Sequence, residues 1–118
     1  MDSILTSIKK LLGIAEEYVH FDTDIIMHIN SVFGTLTQIG VGPSSGFVIT
    51  DKYAVWNDFI QDEPNFEMLK IYVYQKVKLR FDPPSSSAHL QALKESISET
   101  EWRLNIAAET TSTSEKEA

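Results

Sequence analysis

At 118 residues, 42% of them hydrophobic and 10% aromatic, the chain has the apolar material for one domain with its own core and little room for a second. It contains no cysteine, which excludes a disulfide framework, a thiolate nucleophile and a thiolate-ligated zinc or iron–sulfur centre. Ten basic against seventeen acidic residues give a formal charge of −7. That balance argues against a broad phosphate-binding surface, while suiting a wall past which DNA slides without sticking.

Asp2 and Ser3 are cap residues for a short first helix. Ile4, Leu5, Ile8, Leu11 and Leu12 follow helical spacing, and Gly13 is a natural stop. Its polar face is too weakly basic for a membrane surface, so a helix packed on the domain is expected. No apolar signal region follows Lys9 and Lys10, and no run approaches the roughly 18 apolar residues of a membrane span. After a connection over Glu16–His20, Asp22 reads as an N-cap. Phe21 and Ile26 stand at hydrophobic-staple spacing, and Asp24 adds charge that the first turn favours. Ile25, Ile29, Val32, Leu36 and Ile39 continue the helical period, widened by Ile26 and Phe33. They predict a helix from about Thr23 to Gln38 in the middle of the core.

The run Gly40-Val41-Gly42-Pro43-Ser44-Ser45-Gly46 lacks the Gly-Lys-Ser/Thr of a phosphate loop and reads as a helix stop followed by a turn. Phe47–Thr50 and Tyr53–Trp56 flank Asp51-Lys52 and predict a short β-hairpin. A lone hairpin is marginal in water, so it must lean on the helices or on a neighbouring subunit, which makes Tyr53 and Trp56 candidates for subunit contact. Asn57–Ile60 fits a single helical turn. Asp62-Glu63-Pro64-Asn65 then opens a long helix reaching Phe81, with Phe66, Leu69, Val73 and Val77 inward. Lys76, Lys78 and Arg80 gather where the helix dipole favours cations. They form a solvated face or meet acidic residues of another copy.

Asp82, Pro83 and Pro84 make a fixed corner, since proline ends the helix and pushes the residue before it towards extended geometry. One of Ser85, Ser86 and Ser87 caps the last helix. There Leu90, Leu93, Ile97 and Leu104 share a face that Glu101 interrupts, with Trp102 and Ile106 on a neighbouring one. Trp102 either closes the core or anchors an interface. From Glu109 onwards no apolar residue is larger than Ala, which predicts a disordered tail over 109–118. The expected fold is mainly α: one domain over 1–108, a small bundle of about four helices, with a short β-hairpin between the second and third long segments.

Reactive constellations are missing from the pattern. His20, Asp22, Asp24 and His28 are metal-ligand types without a third ligand at diagnostic spacing, and helix capping accounts for Asp22. The serines of Gly42-Pro43-Ser44-Ser45-Gly46 read as turn chemistry, with no clear strand feeding the run. The expectation is a protein that is not an enzyme, with no catalytic residue, metal or cofactor.

The order of segments carries a resemblance. Leu11-Leu12-Gly13-Ile14 is followed by Phe21-Asp22-Thr23-Asp24-Ile25-Ile26-Met27-His28-Ile29-Asn30 and a Gly/Pro loop. Tyr72-Val73-Tyr74-Gln75-Lys76-Val77-Lys78-Leu79-Arg80-Phe81-Asp82-Pro83-Pro84 and Glu101-Trp102-Arg103-Leu104-Asn105 complete it. Over roughly residues 3–108 the chain resembles the head–tail connector (adaptor, or head-completion) proteins of long-tailed double-stranded DNA phages. The Phe-Asp-Pro-Pro corner with Glu-Trp-Arg-Leu-Asn is the more specific part. The resemblance implies a helical virion subunit assembled in the host cytoplasm into a ring, commonly of twelve copies. Such a ring docks on the portal protein after packaging and extends the DNA channel. It offers a platform to the stopper or next neck protein, with no sequence-specific DNA binding and no membrane contact. Carried onto this chain, portal-contact candidates are Trp102, Arg103, Ile106 and Glu109; subunit-contact candidates are Lys76, Lys78, Arg80, Tyr53 and Trp56. Alternatives are another neck component, such as a stopper or tail-completion protein, and a small cytosolic helical regulatory module.

Overall fold

The computed structural model describes residues 3–61 and 66–117, with side chains described as far as residue 108. Five helices follow in order: α1 (Ile4–Leu12), α2 (Asp22–Ile39), the single turn α3 (Trp56–Phe59), α4 (Phe66–Phe81) and α5 (Ser87–Glu117). α4 lies between α2 and α5 and also touches α1.

α1 begins as expected. The Ser3 hydroxyl accepts a hydrogen bond from the Thr6 N–H at 3.1 Å, satisfying one of the orphan donors of a helix start. Gly13 closes it at φ 83°, a left-handed conformation costly for any residue with a Cβ. Yet α1 is far more enclosed than a helix laid on a surface. Every residue from Ile4 to Lys9 is buried, Lys9 included at 2% exposure.

Burying an ammonium is expensive unless all its protons find acceptors. Lys9 Nζ donates to Glu16 O at 2.9 Å and Tyr18 O at 2.7 Å, and lies 2.8 Å from Asp22 Oδ1. Asp22 is therefore not the expected N-cap. It is the first residue of α2, Phe21 holds the cap position, and no side chain caps the helix there. The Lys9 charge draws Asp22 inward, and with Phe21 at the cap position its spacing to Ile26 is no longer that of a staple. Phe21 packs instead edge-on to Phe81, with ring centroids 5.3 Å apart.

The expected β-hairpin is absent: among the described residues no strand forms, only an isolated bridge between Ser3 and Val55. Its backbone groups have other partners. Ala54 O accepts from the Ile4 N–H at 2.9 Å, so the second run pairs with the start of α1. Ile49 is held by the Asn30 side chain on α2. Trp56 leaves the second run to start α3, where Asp58 Oδ2 accepts from the Val55 N–H at 2.9 Å. The two β-prone runs are segments lying on helices, not on one another.

Phe33 on α2 organises this corner of the core. It stacks on Phe59 at 4.5 Å and meets Phe47 and Trp56 edge-on. Trp56 is 1% exposed, and its indole N–H donates to Ser7 Oγ at 3.2 Å, so its polar tip is satisfied inside the subunit. Leu69, Tyr72, Val73 and Val77 of α4 complete the core with Ile97 and Leu104 of α5. The acidic start expected at Asp62–Asn65 lies outside the described residues. The tail expected at 109–118 meets a backbone that is helical to Glu117. The side chains there lie outside the described residues.

Lys9 thus fixes the α1–α2 connection. Lys9→Met is expected to destabilise the fold by about 3 kcal/mol, by leaving two carbonyls and the Asp22 carboxylate unpaired. Asp22→Asn costs less, because Asp22 is 21% exposed and water reaches it. Urea denaturation of the three proteins checks the order.

Candidate functional site

The corner after α4 turns the chain back on itself. The Asp82 N–H still donates to Lys78 O at 2.9 Å, after which Pro83 and Pro84 forbid further helix. Ser86 restarts it: its hydroxyl faces the His89 N–H at 3.4 Å and its carbonyl accepts from Leu90. α5 then runs antiparallel to α4, as two cross-helix contacts show. The Tyr72 hydroxyl donates to Glu101 Oε2 at 2.7 Å, and Gln75 Nε2 donates to Ser96 Oγ at 2.9 Å.

These bonds set the rotation of α5 about its axis. Glu101, an interruption in the apolar stripe, is the acceptor that a buried tyrosine requires. Burial above all, then the hydrogen bond and charge of Glu101, hold the Tyr72 hydroxyl protonated well above the ordinary phenol range. With that seam fixed, Ile97 and Leu104 are buried, and Leu90 and Leu93 are half-buried beside them.

Trp102 lies two residues from Leu104, about 200° around the helix. It therefore faces away from the core, on the opposite face to the apolar stripe and not on a neighbouring one. Its exposure is 64%, and Ile106, one turn further on the same side, is 43% exposed. A core-closing role for Trp102 is excluded by this placement. Arg103 points outward and pairs with Glu99 at 2.7 Å, both side chains exposed, an ion pair worth little in water. The Glu109 side chain lies outside the described residues.

The basic residues of α4 do not act together within the subunit. Lys76 covers the Tyr72 ring, 6.0 Å from its centroid. Lys78 stands 3.9 Å from Asp82, and Arg80 is exposed with no ion pair among the described residues. Tyr53 is 74% exposed with Lys52 over its ring, whereas Trp56 is buried in its own core and leaves the set of surface candidates. The hairpin that grouped these two aromatics does not exist, which is why they part. His20 and His28 pack against Phe21 and Phe81 respectively, and among the described residues no group of three metal-ligating side chains forms.

Sequence reasoning missed the Lys9 clamp, the Asn30 contact and the Tyr72–Glu101 bond. Only the last left a trace, as a charged residue breaking an apolar stripe opposite a tyrosine-bearing helix. The site so assembled is a rigid seam presenting an unpartnered tryptophan face, with no reactive group beside it among the described residues.

The Tyr72–Glu101 seam has a pH signature. The folded-state value of Tyr72 is raised, so in the unfolded chain its proton is lost near pH 10 while the fold retains it. Its stabilising contribution is complete below that pH and declines as pH rises past it. Thermal melting from pH 8 to 11 is expected to show a steeper alkaline fall for the native chain than for Tyr72→Phe. At neutral pH that variant loses about 1–2 kcal/mol.

Among known families, a model described as phage connector protein matches residues 4–111. No curated protein and no solved structure matches the chain.

Proposed function

The chain belongs to the phage connector protein family, and on that premise we propose that it is a ring-forming adaptor that docks on the portal through the outer face of α5. The family is structural and places the chain in the virion as a neck component associating with other head and tail proteins. No helix among the described residues is long and apolar enough to cross a membrane.

In this reading the ring, of twelve copies, assembles in the host cytoplasm and joins the portal once DNA is packaged. It continues the DNA channel and presents the platform for the stopper or next neck protein. The acidic balance of the chain suits a channel wall that phosphates do not grip. The Pro83-Pro84 corner and the α4–α5 seam give each subunit a fixed shape to repeat around the ring. Arg80, Lys76, Lys78 and Tyr53 are the remaining candidates for contact between copies, and Arg103, Ile106 and Glu109 accompany Trp102 towards the portal. Residues 1–108 form the domain in this account.

The observation that carries the proposal is the outward Trp102. Its exposed area, buried against a partner, is worth about 3 kcal/mol, the scale of an interface hot spot. Ile106 extends the same face by one turn. Stopper and tail-completion proteins, the nearest alternative, are more often β-rich, and the absence of strands among the described residues counts against them.

Co-sedimentation with purified portal tests the assignment. Trp102→Ala is expected to weaken portal binding about 30-fold or more, with the melting temperature unchanged because an exposed side chain supports little of the fold. Equal binding by the variant would remove α5 from the interface. Failure of the native chain to bind portal or DNA-filled capsids would overturn the adaptor reading itself.

A further inference from the structure

The loop between α2 and α3 carries an unpaired strand edge. The Ile49 N–H donates to Asn30 Oδ1 at 2.8 Å, and Asn30 Nδ2 donates to Ile49 O at 2.9 Å. One carboxamide reaches both groups of a residue only when that residue is extended, since only then do its N–H and C=O point the same way. Trans planarity of the flanking peptides turns Val48 C=O and Thr50 N–H to the other side. Both residues are exposed, Val48 at 66%, and among the described residues neither group has a hydrogen-bond partner. Side chains alternate to match: Phe47 packs on Phe33 and Phe59, Ile49 is buried, and Val48 and Thr50 point out. Edges of this kind are ordinarily protected by lysine, proline or a bulge, and no charge or proline lies between Phe47 and Thr50.

We propose that free subunits pair through this edge, residues 48–50 of one copy lying antiparallel to the same residues of a second about a two-fold axis at Ile49. The edge is complementary to itself. It offers one acceptor and one donor, so a two-fold sets the Thr50 N–H of each copy on Val48 O of the other. Those are the two bonds that flank an antiparallel residue pair. The same register places Val48 opposite Thr50 of the other copy twice, a favourable β-branched pairing. Asn30 is the positioning residue: by bonding the inner side of Ile49 it keeps the outer side straight. Such a contact pairs copies, whereas a ring needs a head-to-tail contact. The pairing is therefore a state of the free subunit and does not rest on portal docking.

Sedimentation equilibrium of the full chain up to millimolar concentration tests the pairing. A reversible monomer–dimer equilibrium is expected. Thr50→Pro removes the donor, and it suits the chain because the residue before a proline must be extended, as Ile49 already is. The variant should raise the dimer dissociation constant on the order of tenfold or more, while Thr50→Ala, which keeps the N–H and loses only the side-chain pairing, raises it by a clearly smaller factor. In a mixture of isotope-labelled and unlabelled native chain, intermolecular NOEs should join Val48 and Thr50 methyl groups, a readout independent of how the proline variant folds. A chain monomeric throughout, a dimer indifferent to Thr50→Pro in a cooperatively folded variant, or a dimer without those NOEs overturns the proposal.

Discussion

The hydrogen bond from Tyr72 to Glu101 decides which way the last helix faces. A buried phenol needs an acceptor, and a charged acceptor needs a donor; each meets that need only if α5 is rotated to bring Glu101 onto α4. Gln75 and Ser96 repeat the constraint about one and a half turns away. Two polar contacts along one seam leave α5 no freedom to roll. An apolar stripe alone would tolerate a small roll, since dispersion is not directional. With the seam fixed, Trp102 and Ile106 have no path back to the core.

Polar groups also govern the other end of the molecule. Lys9 closes the α1–α2 connection from inside, holding the carbonyls of Glu16 and Tyr18 around its ammonium. Asn30 does the same for the α2–α3 loop with a single amide. These connecting segments are therefore positioned from beneath by buried or half-buried side chains rather than by their own regular structure. Such an arrangement suits a subunit whose surfaces must meet several partners in fixed geometry, because pre-organised contacts lose less entropy on binding.

The helices themselves were legible in the sequence. Ser3 and Gly13 bracketed α1, the period from Ile25 to Ile39 gave α2, and the proline corner separated α4 from α5. Local chemistry decides these features, so local reading suffices. The hairpin failed because a short β-prone run reports that a segment packs on something, not what it packs on; here α1 and Asn30 took the hydrogen bonds that a paired strand would have made. Asp22 was misread for a related reason. An acid before a helical run fits a cap equally well as a partner for a distant lysine, and only the fold brings Lys9 within 2.8 Å. For the site, the sequence singled out Trp102 but left its direction open between core and surface. The missing information was the angular setting of α5, which depends on a residue 29 positions away.

The chain has two tryptophans in opposite environments, Trp56 at 1% exposure and Trp102 at 64%. Acrylamide quenching of tryptophan fluorescence, with and without purified portal, therefore reads the central claim directly. In the free protein Trp102 should be quenched and Trp56 protected. When saturating tryptophan-free portal is bound, the quenchable component should disappear. Persistence of that component in the bound complex would contradict the claim that the outer face of α5 is the docking surface.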